Sequence, residues 1–366
     1  MLAKRTDKLQ ASGIRKIFDL IHTMKNPINL SIGQAHFDLP QPIKDVAIKA
    51  IYDGFNKYAP TQGLPELVDR LKKHIATATG AEPDSVVVTN GASGGLFLTF
   101  QMLLNSGDEV LVPDPYFIMY ANLIQMCGGI PVYIDTYPEF KLTPEKIERA
   151  VTPKTKILIL NTPVNPTGIA YTDSEIKEIV ELIEKHGILL ISDEVYDHFI
   201  YDFPHSSPLK YYKDRTVYIN AFSKTLGIAG WRIGYAAFPK WMYEKTTTLQ
   251  QFSFVCTPAP FQKAVLAGLD YDMSDQYASY KQKRDLTYDL LKNTFDVVKP
   301  QGAFYIFPKV PRGTDMDFVQ AAVDKNVLIV PGSACSRKNT HFRMSFAVED
   351  EQLKKGIEIL KKIAYE

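Results

Sequence analysis

The chain is poor in cysteine. Cys127, Cys256 and Cys335 lie far apart and form no C-x-x-C pair, which leaves neither a disulfide framework nor a zinc site and fits a reducing compartment. Charge of one sign is also missing: 42 basic against 41 acidic residues give a formal net charge of +1, so no global field gathers nucleic acid or an acidic membrane surface. No uninterrupted apolar run is long enough to span a bilayer, and the first twenty residues, though basic, hold no apolar core of signal-peptide length. Internal repeats and low-complexity tracts are absent too. These absences predict a cytoplasmic globular protein without membrane, metal or nucleic-acid partners. With 366 residues and 45% hydrophobic content it can bury a large core and form two or three domains.

What is present is alternation. "SVVVT", "EVLVP", "IPVYID", "KILILN", "ILLIS", "TVYINAF" and "IGYAAF" read as strands, and helical patterns stand between them. In "YTDSEIKEIVELIEKHG", Thr172 and Glu175 form a capping box, Ile176, Ile179, Val180 and Ile183 share one face, and Gly187 ends the helix. "LTPEKIERAV" opens with Thr143 as cap and Pro144 at the first helical position. The pattern predicts an α/β domain with a mostly parallel sheet flanked by helices, its ligand beyond the carboxyl ends of the strands. After about residue 250 the pattern changes to a smaller α+β unit, which the irregular N-terminal segment joins. The expected division is 41–285 for the large domain and 1–40 with 286–366 for the small one.

Four polar residues stand directly after apolar runs: Asn165 in "NTPVNPTG", Asp193 and Tyr196 in "SDEVYDHF", and Lys224 in "AFSKTLG". Each alone has an ordinary structural role as a cap, a turn, a core residue or a solvated loop lysine. Together they match one chemistry, a lysine amine held as an imine to pyridoxal phosphate. That cofactor works as an electron sink when its ring nitrogen stays protonated, and a buried carboxylate keeps it so. At an effective dielectric of ~20, opposite charges ~4 Å apart attract by ~4 kcal/mol, or about three pKa units. Asp193 is the candidate for that carboxylate, and Asn165 and Tyr196 can hydrogen-bond the phenolic oxygen. The phosphate requires an anion site, and "VVVTNGASGGLFLTFQMLL" runs from a strand through Gly91, Ala92 and Ser93 into a helix whose first N–H groups face an anion. Ser223 and Arg232 add donors, Arg232 with planar geometry suited to phosphate.

These residues resemble the fold-type I pyridoxal-phosphate enzymes, specifically the class I/II aminotransferases. The resemblance runs from "SGIRKIFDL" to "FRMSFA", and "NPTG", "SDEVY" and "SKTLGIAGWRIGY" carry it in the family's order. It implies that Lys224 is the imine lysine and proton-transfer base, Asp193 the ring-nitrogen partner, and Asn165 and Tyr196 the phenolic-oxygen partners. Gly91, Ala92, Ser93, Ser223 and Arg232 hold the phosphate. Tyr116 in "PDPYF" stacks on the ring, and Tyr58 reaches the phosphate of a neighbouring subunit, which implies a homodimer. Arg343 and the backbone of Gly33 grip the substrate's α-carboxylate. The implied activity is ping-pong transfer of an amino group between an L-amino acid and a 2-oxo acid through an internal aldimine on Lys224.

Two departures bear on substrate. "GQAHFDLP" has Ala35-His36 where family members often carry Pro-Asp, and Ser93 stands where some dicarboxylate-specific relatives carry a lysine. No second cation for a side-chain carboxylate is evident, so a neutral or hydrophobic donor is expected, and His36 is given no role. The alternatives are a β-lyase acting on cysteine conjugates, which shares the cofactor site, and an amino-acid-sensing regulator, for whose DNA-binding module the chain has no expected room.

Overall fold

The computed structural model describes residues 24–366, so the basic N-terminal segment and "SGIRKIFDL" lie outside the described residues. The seven expected strands all form: β1 (Ser85–Asn90), β2 (Glu109–Asp114), β3 (Ile130–Asp135), β4 (Thr155–Asn161), β5 (Leu189–Asp193), β6 (Thr216–Ala221) and β7 (Ile233–Phe238). They make one sheet in the order β1-β7-β6-β5-β4-β2-β3. β7 runs antiparallel to both neighbours, and the remaining pairs are parallel.

The central strands are apolar throughout because helices cover both faces. Ile157 and Ile159 of β4 pack on one side with Leu96 and Phe100 of helix α1 (Gly91–Leu103). Leu158 and Leu160 pack on the other with Ile176, Ile179 and Ile183 of helix α2 (Asp173–Lys185). Period-two alternation along the strand and 3.6-residue periodicity along each helix thus meet in two separate cores. The capping box of α2 is present, with the Glu175 carboxylate accepting from the Thr172 N–H at 2.8 Å, and Gly187 follows the helix at φ +63°. Thr143 likewise caps the short helix Pro144–Glu148.

A second unit is built around a three-stranded antiparallel sheet of Val330–Pro331, Phe342–Ser345 and Tyr305–Ile306, in that order. The helices Ser274–Leu291, Asp315–Asp324 and Asp350–Tyr365 contribute to one core with Phe304, Phe342 and Leu30. The N-terminal strand Ile28–Asn29 pairs with Val327–Leu328, which fastens the start of the described chain to this unit. The expected boundary at 285/286 falls inside Ser274–Leu291, which passes through it as one unbroken helix. That helix places Tyr280 in the core of the second unit.

At the end of β1 the chain enters α1 through Gly91, whose φ of +67° favours glycine. Gly234 on β7 lies flush against this turn, and a Cβ there would come within 2.5 Å of the Gly91 carbonyl carbon and 2.8 Å of the Ala92 nitrogen. Both atoms are backbone and cannot swing aside. Gly234→Ala is therefore expected to cost about 1–3 kcal/mol. The cost should be seen as a Tm lowered by several degrees, and an unchanged Tm would show that the turn has more slack than its packing indicates.

Candidate active site

The register of the sheet assembles the site. Asn161 and Asp193, the last residues of β4 and β5, are paired neighbours, and the Asn161 side-chain amide donates to the Asp193 carbonyl at 2.9 Å. The Asn161 side-chain oxygen accepts the Asn165 N–H at 2.8 Å, which turns the "NTPVNPTG" loop back over the strand end. The Asp193 carboxylate is buried, and Tyr120 from the helix Met119–Met126 donates its hydroxyl to it at 2.5 Å. Burial pushes this carboxyl up to about 6, while the Tyr120 hydrogen bond and the Lys224 charge pull it down. No side-chain cation forms an ion pair with it among the described residues.

Lys224 sits in the short helix Phe222–Thr225 that follows β6. Its ammonium donates to the Gly33 carbonyl at 2.5 Å and lies 5.7 Å from the Tyr196 ring centre. Burial, with Arg343 next, pulls its pKa down to about 8, and Asp193 opposes the shift. Arg343, on the strand Phe342–Ser345, is buried. It donates to the Asn165 side-chain oxygen at 3.1 Å and the Ser31 carbonyl at 2.8 Å, and its Nε has no partner. The guanidinium lies 4.7 Å over the Tyr305 ring, whose hydroxyl is 3.0 Å from that of Tyr196.

The third group is an anion cradle. Asn90 makes no side-chain cap on α1, so the first N–H groups of this helix remain for another acceptor. Arg232, held at φ +58° between the 3₁₀ turn Ala229–Trp231 and β7, donates to the Ser93 hydroxyl at 2.7 Å and the Asn90 carbonyl at 3.3 Å. Its guanidinium carries no carboxylate partner among the described residues and faces the same cavity as Ser93 and Ser223.

One cavity of about 290 Å³ is lined by Gly33, Ala92, Ser93, Asn165, Asp193 and Tyr196, and also by Ser223, Lys224, Arg232 and Arg343. Gly91 lies just behind this lining, with the Arg232 guanidinium packed against it. Two expected residues are elsewhere. Tyr116 is not in this lining: its N–H donates to the Cys335 carbonyl at 2.8 Å and its ring packs 5.1 Å from that of Tyr133 on β3. Its neighbour Phe117 lines the cavity. Tyr58 is 85% exposed in the single chain and touches no part of the cavity. His36 hydrogen-bonds the Tyr280 hydroxyl at 2.8 Å, as a packed histidine does.

Sequence reasoning missed Asn161, Tyr120, Phe117 and Tyr305. Asn161 carried a usable signal, since it ends an apolar strand as Asp193 does. Tyr120 and Tyr305 had none, because each looks like any aromatic in an apolar stretch.

The family model for aminotransferase class I and II matches residues 25–360. The probable aspartate aminotransferase of Methanocaldococcus jannaschii is 36% identical over 376 residues, covering 99% of this chain and 100% of that protein. Aromatic-amino-acid aminotransferase 2 of Thermococcus litoralis is 34% identical over 385 residues, covering 100% and 98%. Among solved structures, Thermus thermophilus aspartate aminotransferase with maleate superposes with a TM-score of 0.94 at 30% identity, covering 99% of each chain. The relatives named here are aminotransferases, and the β-lyase alternative finds no support in them. With a half-buried amine, a buried carboxylate and a cluster of donors around one cavity, this chain belongs to the class I and II aminotransferases.

Proposed function

We propose that the chain carries pyridoxal phosphate on Lys224 and moves an amino group between an L-amino acid and a 2-oxo acid in two half-reactions. The observation that carries this reading is a buried carboxylate and a half-buried amine at adjacent strand ends, neither of them in an ion pair among the described residues, beside a helix start without a side-chain cap and a guanidinium without a carboxylate partner. Those unmet demands fit the group: an acid for its ring nitrogen, an amine for its aldehyde, donors for its phosphate. When bound, pyridoxal phosphate supplies the aldehyde that captures amines and the protonated ring that takes up charge released at the substrate α-carbon.

The protein's own part follows from position. Asp193 would hold the proton on the ring nitrogen, with Tyr120 holding Asp193. Asn165 and Tyr196 would bond the phenolic oxygen, Phe117 would give the ring an apolar contact, and the N–H groups of Gly91, Ala92 and Ser93 with Ser223 and Arg232 would hold the phosphate. Arg343 anchors the α-carboxylate with its free Nε and the rest of its fork, close to Gly33. Lys224, with its pKa pulled toward neutrality, takes the α-proton and returns it one atom away.

Tyr58 is assigned to the phosphate of a second copy. Tyr52 at 86%, Tyr58 at 85% and Phe252 at 83% exposure support a homodimer that covers them. We read the protein as cytoplasmic; among the described residues no helix is long and apolar enough to cross a membrane. The amino donor is read as neutral or apolar. Among the described residues the cations lining the cavity are Lys224, Arg232 and Arg343, each with a task already, and Leu96, Phe117 and Met119 add apolar surface.

Borohydride reduction of the purified protein followed by peptide mapping is expected to fix the cofactor on Lys224, and Lys224→Ala to lower turnover by at least about 10³-fold while phosphate-site binding persists. Near-normal turnover in that variant would overturn the role. Tyr120→Phe removes a donor that lowers the Asp193 pKa, so this acid rises above about 6 and a smaller fraction is ionised at any given pH. Cofactor titrations of the stripped protein from about pH 5 to 8 should show the midpoint of affinity moving upward by about one unit; no shift, or a downward one, contradicts it. Finally, kcat/KM for phenylalanine should exceed that for aspartate, and a large preference for aspartate would refute the substrate reading.

A further inference from the structure

A second cleft lies behind the turn that carries Lys224, on the opposite side from the cavity just described. Phe222 and Thr225 form its floor, and its volume of about 220 Å³ is that of about seven waters at ~30 Å³ each. Its walls come from three separate elements: His74 on the helix Pro65–Thr79, Asp197 and His198 after β5, and the segment 271–277 that leads into the helix Ser274–Leu291. Tyr277 packs against the cores of both units and donates its hydroxyl to the Thr225 carbonyl at 3.0 Å. The cleft therefore sits where the two units join.

Its lining is aromatic and acidic at once. The His198 and Tyr277 rings meet edge-on at 5.0 Å, His74 lies 6.3 Å from His198, and Tyr235 stands 6.3 Å from His74 at 79°. Asp197 is buried, fixed by the Asn220 amide at 2.8 Å and the His198 N–H at 2.8 Å. Asp272 accepts the Ser274 N–H at 2.9 Å on the rim. The two carboxylates both act on Tyr277 and hold its phenol above its ordinary value, with burial the larger cause. Arg70, whose charge acts on His74, is paired with Asp270, and burial keeps His74 below the usual histidine value despite Asp197. The His198 Nδ1 lies 3.1 Å from the Asp197 carboxylate, and Asp272 is exposed on the rim. Two carboxylates among aromatic rings disfavour anions and favour a weakly hydrated cation. A metal is not the match, since among the described residues no group of three or more His, Cys, Asp or Glu side chains could hold one.

We propose that this cleft is a binding site for a small organic ammonium ion, distinct from the amino-acid cavity. Most of the Asp197 hydrogen-bonding capacity is already used, so charge and ring faces rather than a directed hydrogen bond select the ligand. A fully alkylated ammonium suits that requirement.

The test titrates the holoenzyme by calorimetry at about pH 8 with choline and with 3,3-dimethylbutan-1-ol, its uncharged carbon isostere. Choline has no primary amine and so cannot react with the cofactor aldehyde. Choline is expected to bind in the millimolar range and the isostere at least about tenfold more weakly. Asp272→Asn and Asp197→Asn are each expected to weaken choline several-fold. Asp272 is exposed, so its variant keeps the test usable should loss of the buried Asp197 carboxylate disturb folding. Equal affinity for choline and the isostere, no choline binding, or binding unchanged in Asp272→Asn would overturn the proposal.

Discussion

The buried carboxylate of Asp193 is the constraint around which the rest is arranged. An ionised acid held away from water is costly, and this one is left without an ion-pair partner, at a pKa raised to about 6. The fold compensates locally: Tyr120 donates a hydroxyl, Val195 offers its N–H at 3.5 Å, and Asn161 fixes the backbone carbonyl. None of these supplies a positive charge. The protonated ring nitrogen of the proposed cofactor would.

Lys224 stands in the same relation to its surroundings. Its amine is pulled down by burial and by Arg343, and a carbonyl is its only hydrogen-bond partner among the described residues. An amine that is less firmly protonated can be a nucleophile and a base near neutral pH. Arg343 and Arg232 contribute to that shift from the lining of the same cavity, so the groups proposed to bind the substrate and the phosphate also tune the proposed base. In that proposal cofactor capture, substrate anchoring and proton transfer are electrostatically linked through one side chain.

Much of the architecture was legible beforehand because it rests on local periodicity. The seven strands, the capping box at Thr172 and Glu175, and the turn at Gly187 each follow from residues near one another in sequence. The polar residues at strand ends were legible for a related reason: strands do not otherwise place Asn, Asp or Lys after apolar runs. Tyr116 shows the limit of that reasoning. Of the adjacent aromatics after β2, Phe117 lines the cavity and Tyr116 does not, and the Tyr116 backbone is bonded to Cys335, more than two hundred residues distant. The placement of 285/286 as a boundary met a similar limit, since a continuous helix carries no sign of which core it enters.

The sequence by itself determined the seven strands, the capped helices and the parallel character of most of the sheet, because each is encoded in spacing and residue type over a few turns of chain. Only tertiary structure decided that β7 runs antiparallel beside β1, that Arg343 crosses from the second unit to meet Asn165, that Tyr120 is the donor to Asp193, and that two histidines, two carboxylates and three tyrosines line a cleft behind Lys224. These depend on contacts between residues far apart in the chain. Hydrophobic burial that brings them together is non-directional, so periodicity indicates that a face will be covered and leaves open what covers it.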